Sequence, residues 1–98
     1  MKENEVVTVA LINGAEVIGL FVSETNDEIT INQPKLVQIN EQGMGLSDGI
    51  CMTGEELEAN FTFRKNSLLF SIKTSDIVAN AYNKHISKIA TPDSKIIL

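Results

Sequence analysis

The chain has 98 residues, 43% of them hydrophobic, which fits one domain with its own core, expected to span 1–98. Eight Lys and Arg stand against thirteen Asp and Glu, a net charge of −5 that speaks against a broad basic surface for nucleic acid. No apolar run approaches the ~20 residues of a spanning helix, and Met1–Glu5 holds no apolar leader segment, so a cytoplasmic protein with no membrane partner is expected.

The charge is unevenly placed. Residues 1–60 carry eleven acids and two lysines (−9), residues 61–98 two acids and six bases (+4). Ile and Val together number nineteen and Thr seven, so about a quarter of the chain is β-branched and a mainly β fold is expected.

Val6–Ile12 reads as a first strand and Glu16–Ser23 as its return, because Asn13-Gly14 between apolar runs is a strong hairpin signal. Gly19 inside the second strand marks a bulge, a bend or a close backbone approach. After the polar turn Glu24–Asp27, residues 28–32 alternate with period two, Pro34 interrupts, and Leu36–Ile39 resumes the extended pattern. Residues 41–60 break the pattern with four glycines and read as a long, partly buried loop, with a short strand weighed at 50–53. Asn60–Arg64, a tight turn at Lys65-Asn66, and Ser67–Lys73 read as a second hairpin.

From residue 75 to about 90 the period changes. Ile77, Val78, Ala81, Tyr82, His85, Ile86 and Ile89 recur at helical spacing, with Thr74 or Ser75 as N-cap and Pro92 as the stop. The tail Lys95–Leu98 offers an added strand or packing on a neighbour. Five strands bent by an interior glycine within about 5–73, followed by one amphipathic helix, point to a small, strongly bent barrel. Such a barrel leaves strand edges open, which oligomerisation would cover.

The glycine pattern of VVTVALINGAEVIGLFVSETNDEITI, with Gly14 and Gly19 in place, resembles the first motif of the Sm-like family. Phe63-Arg64-Lys65-Asn66-Ser67-Leu68 is similar to the second motif, a short turn between the last two strands. The chain is also similar to small Sm-like proteins of marine phages. The resemblance implies an Sm-like barrel assembled as a homo-oligomeric ring of about five to seven subunits, the fourth strand of one pairing with the fifth of the next. It also implies contact with single-stranded nucleic acid, RNA more than DNA, at the central pore, without a cofactor. Carried over residue by residue, Arg64 matches the family's arginine, Asn66 suits the tight turn, Thr30 lies at the asparagine position, and Asn26 aligns with an acidic position. Glu28 occupies the stacking position and Lys65 replaces a glycine. The segment Tyr82–Ser87 is also locally similar to the last turn of the bacterial RNA chaperone Hfq, but its helical period argues against a strand–turn–strand there.

Arg64 and Lys65 are therefore either a pore-side phosphate clamp or a solvated turn; a ring would focus their field on one axis. His85, the single histidine, reads as packed or surface-placed, and Cys51, the single cysteine, as a small buried hydrophobe. Gly43–Gly49 lacks the Gly-Lys-Ser/Thr ending of a phosphate loop, and Glu55, Glu56 and Glu58 read as a solvated acidic cluster. Phe61, Phe63 and Tyr82 are base-stacking platforms or, more simply, packing residues. No nucleophile–base pair or metal set can be assembled, so a non-enzymatic protein is expected. A structural or protein-docking ring, whose acidic face binds a basic partner without nucleic acid, is the alternative.

Overall fold

The β-branched runs become strands, and pairing follows from their turns. The computed structural model describes residues 1–50, 53–54 and 60–90, with side chains described as far as Ser87. It contains β1 (Val6–Leu11), β2 (Glu16–Glu24), β3 (Glu28–Asn40), β4 (Gly43–Leu46), β5 (Asn60–Arg64), a 3₁₀ turn (Lys65–Ser67), β6 (Leu68–Lys73) and α1 (Asp76–Ala90). Cys51, the cluster at Glu55, Glu56 and Glu58, Pro92 and the tail Lys95–Leu98 lie outside the described residues. Of the strand weighed at 50–53, Ile50 and Thr53 are described, and both sit in bends.

All pairings are antiparallel, in the order β4-β3-β2-β1-β6, with β5 also on β3. The β1–β2 loop is a three-residue Ile12-Asn13-Gly14 connection closed by Leu11 N–H donating to the Ala15 carbonyl at 2.8 Å. Only Gly14 takes a positive φ (92°), while the Asn13 side chain accepts from the Ala15 N–H at 3.0 Å. The Asn-Gly signal thus marks the hairpin, but Ile12 belongs to its loop and is 61% exposed.

Three register shifts curl the sheet. Between Ile18↔Lys35 and Leu20↔Asn32, β3 carries one residue more than β2. There Gln33 adopts φ 52°, Pro34 is buried, and Gly19 faces the kink. A Cβ on Gly19 would stand 3.1 Å from the Asn32 carbonyl oxygen and from Ile31 Cδ1, so β2 and β3 approach each other here only because Gly19 has no side chain. Pro34 therefore does not end the strand; it bends one continuous β3.

The kink lets β3 hold two partners along one edge. Its first half pairs with β5 (Glu28↔Arg64 to Asn32↔Asn60) and its second half with β4 (Val37↔Leu46 to Asn40↔Gly43). Residues 43–46, expected as loop, are thus a sixth strand. The expected hairpin over 60–73 is also corrected: β5 pairs with β3 and β6 with β1, with no β5–β6 ladder among the described residues. The 3₁₀ turn at Lys65–Ser67 makes a corner rather than a hairpin reversal, and it carries the chain from β5 on the edge of β3 to β6 on the edge of β1. The sheet is therefore coiled back on itself.

The core has two faces. Val7, Val9, Val17, Phe21, Ile29 and Ile31 pack inside the curl with Leu11, Leu36, Ile50, Phe63 and Leu68. On the other face Val6 and Ile18 meet Tyr82 of α1, joined by Leu20, Val37, Leu46, Val78, Ala79 and Ile86. Burial on both faces explains why β1 reads as a near-continuous apolar run rather than an alternation. Ile77 is 84% exposed and Ala81 also faces solvent, so the docked stripe of α1 is Val78, Ala79, Tyr82 and Ile86.

Ser75 is the residue whose carbonyl accepts the first helical bond, from Ala79 at 2.8 Å. Thr74 is spent otherwise: its hydroxyl bonds that of Thr8 at 2.7 Å and its N–H donates to the Val6 carbonyl. At the other end of the contact the Tyr82 hydroxyl donates to the Gln33 carbonyl at 2.7 Å, fastening α1 to the kink of β3. Burial pushes the Tyr82 phenol well above its ordinary pKa.

Candidate nucleic-acid interface

The β2–β3 turn and the β5–β6 corner meet because β5 lies on β3. In the turn, Thr25 Oγ1 accepts from the N–H groups of Asp27 (3.2 Å) and Glu28 (3.1 Å). The Lys65 N–H donates to the Asp27 carbonyl at 2.8 Å, tying corner to turn, and Ser67 Oγ donates to the Arg64 carbonyl at 2.7 Å. Between them opens a concavity of about 700 Å³, lined by Thr25, Asn26, Asp27, Glu28, Arg64, Lys65 and Asn66.

Four of the five residues singled out in the sequence, Asn26, Arg64, Lys65 and Asn66, therefore stand together. Thr30 does not line the concavity. It lies two positions along the β3–β5 ladder from Glu28 and Arg64, where its hydroxyl is bonded to that of Thr62 at 2.8 Å. Two positions further Asn32 pairs with Asn60 through a 2.9 Å side-chain hydrogen bond, so alternate pairs form a polar row that leads away from Arg64 and Glu28.

The electrostatics are mixed. Lys65 Nζ is 2.6 Å from Glu24 Oε2, an ion pair with both side chains about one-third exposed (33% and 35%). Asp27 and Glu28 add two carboxylates, so two cations face three acids. Glu24 and Asp27 were not singled out in the sequence; the run Glu24-Thr25-Asn26-Asp27-Glu28 carried the signal as three acids in one turn, but its placement against Lys65 depends on a contact across 41 residues. The arrangement offers amide and guanidinium hydrogen bonds to a base or phosphate, with little net positive field.

The remaining candidates fall elsewhere. Tyr82 is fully buried and Phe63 packs on the inner core, so neither presents a ring for stacking. His85 Nε2 lies 3.8 Å from Asp48 Oδ1 and is buried with no hydrogen-bond partner among the described residues, away from the concavity. Residues 43–46 of the glycine-rich segment form β4 rather than a phosphate loop. Among the described residues no three His, Cys, Asp or Glu are grouped to hold a metal ion, and no helix is long and apolar enough to cross a membrane.

The coiled antiparallel sheet with a docked C-terminal helix defines a small, mainly β class of domain. No protein-family model matches the chain, and no curated protein matches it.

Proposed function

We propose that this chain is an Sm-like barrel that assembles into a homo-oligomeric ring of about five to seven subunits and binds single-stranded nucleic acid, RNA ahead of DNA. The observation that carries the reading is the convergence of Asn26, Arg64, Lys65 and Asn66, from turns 38 or more residues apart, in one open concavity. Arg64 and Lys65 contact phosphate or base, and Asn26 and Asn66 supply base hydrogen bonds; Thr30 contributes through the adjoining polar rung. Assembly is supported by the two edges of the sheet. One is made by β4 and β5 on β3, the other by β6, and Met44 (52%), Phe70 (55%) and Ile72 (54%) are exposed on or beside them. Pairing β5 of one copy with β6 of the next would cover such edges and close a ring.

Light scattering tests the ring: a strict monomer at micromolar concentration refutes it. Fluorescence anisotropy with oligo-U, oligo-A and single-stranded DNA at low salt tests the ligand. Binding should weaken steeply with salt, and Arg64→Ala and Lys65→Ala should each lower both affinity and salt slope.

The second reading, a docking ring for a basic protein without nucleic acid, is favoured by one observation. Glu24, Asp27 and Glu28 outnumber the two cations at the concavity. It takes over if the ring forms and no oligonucleotide binds.

A further inference from the structure

We propose that Glu24 guards this cleft: in the free protein its carboxylate holds Lys65, and a phosphate reaches that lysine only by displacing it. The inference rests on the nucleic-acid reading and adds to it a residue that sets affinity, one to which the resemblance assigns no role. Glu24 ends β2 and Lys65 opens the 3₁₀ turn, so the pair spans two elements that meet only in the folded chain. The backbone of Lys65 is fixed through its N–H to Asp27, which leaves its side chain to choose between Glu24 and a ligand at the same place. Both partners are about one-third exposed, at 33% and 35%, so solvent and ligand reach the pair from the open side. An ion pair of that exposure is readily exchanged.

Of the three carboxylates, Glu24 is the one within ion-pair distance of a cleft cation among the described residues. Asp27 acts on Lys65 through its backbone carbonyl, and Glu28 sits opposite Arg64 in the strand register. Glu24 therefore withdraws one cation from the field that each subunit presents, while Arg64 and the amides stay available. In a ring the same exchange repeats in every copy. The site then favours a strand able to engage several subunits at once, because a single displaced carboxylate returns little by itself.

The test is a salt series of anisotropy titrations on the full chain with oligo-U, oligo-A and single-stranded DNA. It compares wild type with Glu24→Gln, Lys65→Ala and the double variant, and Glu24→Ala backs up the first. Glu24→Gln should bind about threefold to tenfold more tightly at low salt, with the slope of log K against log salt steeper by about 0.7 per lysine freed on a single strand. The gain should vanish in the Lys65→Ala background. Glu16→Gln, at the far end of β2, controls for the change in net charge and should leave the slope unchanged. If wild type binds and Glu24→Gln matches it in affinity and slope, the guard is refuted and the binding reading survives. An equal gain with or without Lys65 also refutes it, since the effect is then one of overall charge. If neither wild type nor either Glu24 variant binds any oligonucleotide, the binding reading falls and the guard with it.

Discussion

Replacing Tyr82 with Phe removes one oxygen and leaves the ring in place between α1 and the sheet. The hydroxyl lost is the donor to Gln33's carbonyl, 2.7 Å away, at a fully buried side chain. Leaving that carbonyl short of a donor should cost about 1.5 kcal/mol. For a domain of this size that is a fall in melting temperature of ~6–12 °C at neutral pH and fixed protein concentration.

The same bond gives the loss a pH signature. The folded-state pKa of Tyr82 is raised by burial, so its contribution is fully present below the unfolded value of about 10 and is lost as pH rises beyond it. By pH ~11, ionisation of the unfolded tyrosine has taken away about 1.4 kcal/mol, which closes the gap between wild type and Tyr82→Phe. Other groups that titrate there are common to both proteins and cancel. The chain has one tyrosine and no tryptophan, so tyrosinate absorbance reports this group alone. Urea melts from pH 8 to 11 and an absorbance titration are the assays. A phenol that ionises near pH 10 in the folded protein, or a variant as stable as wild type at pH 8, would refute the docking of α1 through Tyr82.

Gly19→Ala should destabilise by about 1–3 kcal/mol in a urea melt, because its Cβ meets the Asn32 carbonyl at 3.1 Å and backbone must shift. Gln33→Gly should leave stability within about 0.5 kcal/mol of wild type or raise it, since φ 52° costs a side chain but not glycine. Gln33→Val should lose about 2 kcal/mol at the same backbone angle. Thr30→Val should weaken stability by about 1 kcal/mol through Thr62, and its effect on oligonucleotide affinity should be smaller than that of Arg64→Ala, because Thr30 lies outside the concavity.

Where local chemistry dictates structure, the sequence was legible. Asn13-Gly14, the alternation in 28–32 and the helical period after Ser75 each act within a few residues, and each element is present. Gly43-Met44-Gly45-Leu46 was not, because two glycines give no strand signal and the segment is extended only through its ladder to β3. The reversal at 64–68 looked like a hairpin because turn residues separate two apolar runs; whether such strands pair with each other or part company depends on the turn's backbone geometry. At the site, the cations and amides were visible as turn residues. Their neutralising partner was hidden by distance in the chain, since nothing local to Lys65 announces Glu24.

The bent β3 has a consequence for how the protein tolerates change. Because β4 and β5 are anchored on different halves of the same edge of β3, the two ladders are set by separate stretches of that strand. The concavity is built on the first half alone, from the turn that enters β3 and the corner that leaves β5. Surface substitutions in β4 and in the second half of β3 should therefore leave the concavity at Arg64 and Lys65 undisturbed.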